Sequence, residues 1–170
     1  MKRALFLIIV GFIALTRAAV AQTYEVPKDY QLKVKEDYAK YEPEVISAVD
    51  WLQQTSWDDD QDKRKDANAF LMAWITGSPT VSITIGSPLM KLVNKNPDLL
   101  MTFMGGYTKY ALQHKDAPDA HAANVAALKA LISKYQNEKN HKRESAVEKL
   151  IKVDQDGKLD EWASTDFVKS

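Results

Sequence analysis

Three groups of side chains in this sequence have the types and spacing from which chemistry could be built. His114 and His121 flank Asp116 and Asp119 in the run His-Lys-Asp-Ala-Pro-Asp-Ala-His, and imidazole beside carboxylate is the pairing used for proton transfer and for zinc. Pro118 separates the two histidines onto different elements, so the run reads first as a helix end followed by a turn. A hydrolase-like or metal-dependent enzyme built on His114, Asp119 and His121 is the alternative. Asp154, Asp156 and Asp160 surround Gly157; carboxylates around a glycine turn suit calcium, which takes six to eight oxygens. Asp58, Asp59, Asp60 and Asp62 are abundant but lie in a polar loop, where ordinary acidity is the reverse of what a general acid needs. There is no cysteine, no serine in a nucleophile elbow and no glycine-rich phosphate loop before a helix. The expectation is therefore a binding protein rather than an enzyme.

The binding surface is sought among the apolar segments. Gly105 and Gly106 fall inside a helical pattern, each at a cost of about 1 kcal/mol relative to alanine. Either a neighbouring segment packs against the bare backbone, or a kink opens a groove. The candidate groove comprises Trp74, Met104, Gly105, Gly106 and Tyr107, beside the segment from Val81 to Ile85. Met72, Met90, Met101 and Met104 lie on the same apolar segments. They fill a core if buried and serve a binding surface if exposed.

The elements that must position these residues are mostly helical. Val45, Ile46, Val49 and Leu52 give one apolar face over Glu42 to Gln54, and Ala67, Phe70, Leu71, Trp74 and Ile75 give another over Asp62 to Thr76. Ser87 is placed to cap a short helix over Pro88 to Val93. Asn96 is placed to cap a longer one that runs from Pro97 to about His114. Pro118 and Asp119 open an alanine-rich helix to Tyr135. Two further helices are expected, from about Glu144 to Val153 and from Asp160 to Val168. Thr80 to Ile85 alternates apolar and polar residues with a period of two. It is either one strand of a two-stranded ribbon with Tyr30 to Val34 or an extended connector. The fold class predicted is all-α, a bundle of five to seven helices with at most this short extended element.

The amino end sets the expected destination. Lys2 and Arg3 precede an apolar run from Ala4 to Leu15, and Ala19-Val20-Ala21 follows, which is the order of a secretory signal peptide. Residues 1–21 are read as that signal, 22–29 as a flexible tether and 30–170 as a single helical domain. The expected location is the periplasm or the medium, without stable membrane insertion after cleavage. Basic and acidic residues number 23 each, and Lys2, Arg3 and Arg17 leave with the signal. The remaining slight negative charge argues against nucleic acid as a partner. A protein or peptide of the cell envelope is the expected partner, and an unpaired Val81 to Ile85 strand would favour a homodimer.

Two resemblances are visible. The segment Lys152 to Ala163 resembles an EF-hand calcium loop, with Asp154, Asp156, Gly157, Leu159 and Asp160 at the third, fifth, sixth, eighth and ninth positions. Lys152 stands first and Ala163 twelfth, where acidic ligands belong. The segment is therefore read as a turn between helices, and no cofactor other than calcium is implied. The mature chain as a whole resembles small exported helical proteins of Gram-negative bacteria, chiefly in Asn96-Pro97-Asp98-Leu99-Leu100-Met101-Thr102-Phe103-Met104-Gly105-Gly106-Tyr107. Residues 67–113 are also similar to periplasmic immunity proteins of the Tai type. There a helix ending in a glycine turn, here Phe70 to Gly77, precedes one opened by Asn96-Pro97-Asp98 and closed by Ala111-Leu112. The cysteines usual in that family are missing, and the likeness implies a binding role.

Overall fold

The computed structural model describes residues 24–168. The signal peptide expectation for residues 1–21 lies outside them. The described residues form eight helices. These are α1 (Lys35–Lys40), α2 (Glu42–Gln54), α3 (Gln61–Gly77), α4 (Ser87–Val93), α5 (Asp98–Gln113), α6 (Ala120–Asn137), α7 (Ser145–Gln155) and α8 (Leu159–Thr165). The helix beyond the expected seven is α1, which lies immediately ahead of α2. The break between them falls at Tyr41, which is the C-cap of α1 and the N-cap of α2. None of the described helices is long and apolar enough to cross a membrane.

The bundle is organised around α5. It packs along α6 on one side and against α2 and α3 on the other. The adjacent glycines explain how both sides come close. A Cβ on Gly105 would lie 3.2 Å and 3.3 Å from the two Val49 methyls, with Leu71 behind them. A Cβ on Gly106 would lie 2.9 Å from Ala130 Cβ and 3.1 Å from Ala127 Cα. Small residues on facing helices thus let α5 and α6 meet at backbone distance, which recovers in packing what glycine loses in helix propensity. The fully buried core around them includes Phe70, Leu71, Trp74, Leu99, Phe103, Leu128 and Leu131.

Several local expectations are revised. Asn96 does not cap α5. Its amide instead donates to Lys142 O at 2.7 Å and accepts from Lys142 N–H at 2.7 Å, which ties the α4–α5 turn to the α6–α7 linker. Ser87 is the first residue of α4, and Gly86 holds the cap position. Residues 80–85 belong to no strand, and no ladder forms with residues 30–34. The alternation is kept in burial only as far as Thr84, because Val81 is buried and Ile83 half-buried whereas Ser82 and Thr84 are exposed, and Ile85 is exposed as well. The segment is therefore an extended connector laid on the helices. The described part of the expected tether also lies on the bundle. Tyr24 is buried, packs 5.9 Å from Trp51 and shares Lys63 with it in cation–π contacts. An aromatic ring with a large apolar surface to bury explains the docking.

The sequence gives no hint of a buried charge cluster at one end of the bundle. Lys134 and Glu138, one turn apart on α6 and its C-cap, pair at 2.6 Å with almost no exposure. Lys134 also donates to the Thr55 carbonyl at 2.6 Å, and Arg64 donates to the carbonyls of Thr55 and Ser56. Glu138 accepts from the Trp57 N–H and the Ser56 hydroxyl. The two cations thus satisfy carbonyls where α2 ends, and the carboxylate holds the following turn. Burial lowers the basicity of Lys134 and Arg64. It also pushes Glu138 up, but the hydrogen bonds from Lys134, Trp57 and Ser56 outweigh it and hold the carboxyl below its ordinary range.

Candidate functional site

A cleft of about 570 Å³ opens between the extended connector, the C-terminal half of α5 and the start of α6. One wall is Thr80, Val81 and Ser82, and the other is Tyr107, Ala111 and Leu112 of α5. Lys115, Pro118 and Asp119 form the turn at its mouth, with Ala120 and Ala123 of α6 below. The connector reaches this place because Ser78 Oγ accepts from the N–H groups of Thr80 and Val81 at 3.3 Å and 3.2 Å, turning the chain after α3 and driving Val81 inward. Asp119 accepts from the Ala122 N–H at 2.9 Å and so starts α6, which sets the position of Ala120 and Ala123. Such a side-chain cap contributes about 1 kcal/mol.

The electrostatics of the cleft are mild. Burial, and then the negative charge of Asp119, raise the pKa of the Tyr107 phenol above its ordinary value, so the hydroxyl keeps its proton. Lys115 pairs with Glu42 of α2 at 2.6 Å. The arrangement offers small apolar walls, one protonated phenol and a carboxylate at the rim. That suits holding an apolar group with a polar end.

Of the residues expected in a groove, Tyr107 and the Val81 segment line this cleft. The others do not. Trp74 is fully buried, with its indole N–H donating to Tyr38 O at 3.0 Å. Gly105 and Gly106 are consumed in helix contacts, and Met104 is buried in the core. The first of the two sequence-level readings of the glycines, packing against bare backbone, describes what they do. Met72 and Met90 are 40% and 50% exposed, so two of the four methionines face solvent.

The histidine and carboxylate set is not gathered into one site. His114 Nδ1 hydrogen-bonds the Tyr110 carbonyl at 2.8 Å and its ring stacks on Tyr110 at 4.0 Å. His121 Nε2 meets Asp160 Oδ1 at 2.9 Å, joining α6 to α8. Asp119 serves its own helix, as above. The acidic loop around Gly157 is likewise committed to helix ends. Gly157, with φ of 71°, follows the C-cap of α7; its N–H donates to Asp154 O and that of Lys158 to Val153 O, both at 2.9 Å. This pair of bonds is a Schellman motif, which explains a glycine at that place without an ion. Asp160 lies in the first turn of α8. No three histidine, aspartate or glutamate side chains converge on a point among the described residues.

Sequence reasoning missed Ala111, Lys115, Asp119, Ala120 and Ala123 as parts of one cleft. The available signal was the Pro118-Asp119 helix start together with the alanine run behind it. No protein family, curated protein or solved structure matches this chain.

Proposed function

We propose that this chain is a non-catalytic binding module of the cell envelope that engages a protein or peptide partner through the cleft at Tyr107 and Asp119. The observation that carries the reading is the cleft itself, whose volume of about 570 Å³ falls within the usual range for ligand sites and whose walls are mainly apolar. The dispersal of His114, Asp119 and His121 onto separate partners supports binding over catalysis. Export rests on the basic, apolar and small-residue order of residues 1–21.

The test is capture from envelope extract by the protein beginning at Gln22, read by mass spectrometry against Ala120→Trp. Ala120 is exposed at the cleft mouth, so tryptophan there obstructs the cleft without entering the core. The expected result is a partner retained by the native protein and lost by a variant of unchanged helicity and melting temperature. Equal retention by both proteins refutes the assignment of the cleft.

A further inference from the structure

A second groove, of about 330 Å³, lies between α4, α7 and α8 and shares no residue with the cleft above. Its floor is made by Leu92 and Leu150, which are buried, and by Val153 and Trp162, which are half-buried. Along α7 the groove is lined at Ala146, Lys149, Leu150 and Val153, the spacing of a single helical face. That face is only partly covered by α4, and the small side chain at Ala146 leaves room for an incoming ridge.

The charges around the groove are one-sided. Lys91 of α4 and Lys149 of α7 stand exposed on its rim, and neither forms an ion pair among the described residues. Lys149 also borders an adjoining depression that contains Lys152 and Arg143. Arg143 is held there by Glu148 at 2.9 Å. Asp166 is the one acidic residue on the groove and lies at its α8 end, where it accepts from the Thr165 hydroxyl.

We infer that this groove docks an acidic amphipathic helix of a partner protein. Its apolar ridge lies on Leu92, Leu150 and Trp162, and its carboxylates face Lys91, Lys149 and Lys152. A helical partner fits because an open trough between helices accepts the i, i+3, i+4 and i+7 ridge of another helix. The free lysines determine the sign of the partner's charge. The inference does not depend on the cleft at Tyr107.

The test uses a fluorescein-labelled peptide of about four helical turns, with leucines on one face and glutamates on the other, and its counterpart with lysines. Fluorescence anisotropy with the protein beginning at Gln22 is expected to show saturable binding of the acidic peptide alone, weakening as salt rises. Lys91→Glu with Lys149→Glu, two exposed positions, should weaken that binding by about tenfold or more. Ala146→Trp should abolish it with the charges intact. Equal binding of both peptides, binding of neither, or acidic binding that survives the double charge reversal overturns the inference. So does attachment to phosphatidylglycerol vesicles without peptide binding.

Discussion

Gly106→Ala should destabilise this protein, although the same change at its neighbour should not. The new methyl at position 106 would sit 2.9 Å from Ala130 Cβ and 3.1 Å from Ala127 Cα, whereas carbon atoms prefer about 3.5–4.0 Å. One obstacle is backbone, so relief requires α6 to move away from α5 by roughly half an ångström, loosening contacts along both helices. Overpacking of this kind costs about 1–3 kcal/mol, against a gain of about 1 kcal/mol in helix propensity. The net expectation is a loss of about 1 kcal/mol. At Gly105 the new methyl meets the Val49 methyls at 3.2 Å and 3.3 Å, and a side chain can yield by that little. There the propensity gain offsets the crowding, and Gly105→Ala should be neutral or slightly stabilising. Urea and thermal melts followed by circular dichroism measure the contrast, with each kcal/mol shifting the midpoint by about 2–4 °C for a chain of this size. Ala130→Gly carries its own propensity cost of about 1 kcal/mol, so it should cost less in the Gly106→Ala background than in the native protein, because there it also removes the nearer of the two contacts and leaves the backbone one. A Gly106→Ala protein at least as stable as Gly105→Ala would refute the account of how α5 and α6 meet.

Lys134→Met should cost about 3 kcal/mol, since it leaves Glu138 buried without its cation; urea midpoints measure the loss. The Glu138 carboxyl is held below its ordinary 4.5, so its contribution is present above that pH and lost as pH falls through the folded value. Glu138→Gln should therefore be less stable at neutral pH and show a shallower acid limb in a pH series of thermal melts. Asn96→Leu strands the N–H and carbonyl of Lys142 and should cost about 2 kcal/mol, again by urea denaturation. Gly157→Ala has free space for the methyl, nothing lying within 4 Å. It should still cost about 1 kcal/mol for the left-handed backbone, with Gly157→Asn costing less in the same melts.

Much of this fold is legible in the sequence because the signals are local. The spacing of Val45, Val49 and Leu52, or of Phe70, Leu71 and Trp74, fixes which face of each helix is buried before any partner is known, since 3.6 residues make a turn whatever lies beside it. Pro118-Asp119 starts α6 and Gly157 ends α7 for the same reason, as caps are satisfied within a few residues. Asn96 has a local signal that tertiary structure overrides. Its side chain can cap a helix, but Lys142, 46 residues away, offers both a donor and an acceptor at 2.7 Å.

The candidate sites depend wholly on such distant meetings. Thr80 to Ser82, Tyr107 to Leu112 and Ala120 to Ala123 come to line one cleft only where the connector, α5 and α6 pack together, and the glycines of α5 let α6 and α2 approach it closely on either side. Nothing local to Lys134 and Glu138, four residues apart, marks them for burial. They are buried because the end of α2 presents carbonyls that need cations. Sequence alone determined seven of the eight helices described, their faces and most of their ends, all of which are set within a few residues. Only the tertiary structure decided which helices touch, which charges are buried and where a ligand could sit, because those follow from close packing between residues far apart in the chain.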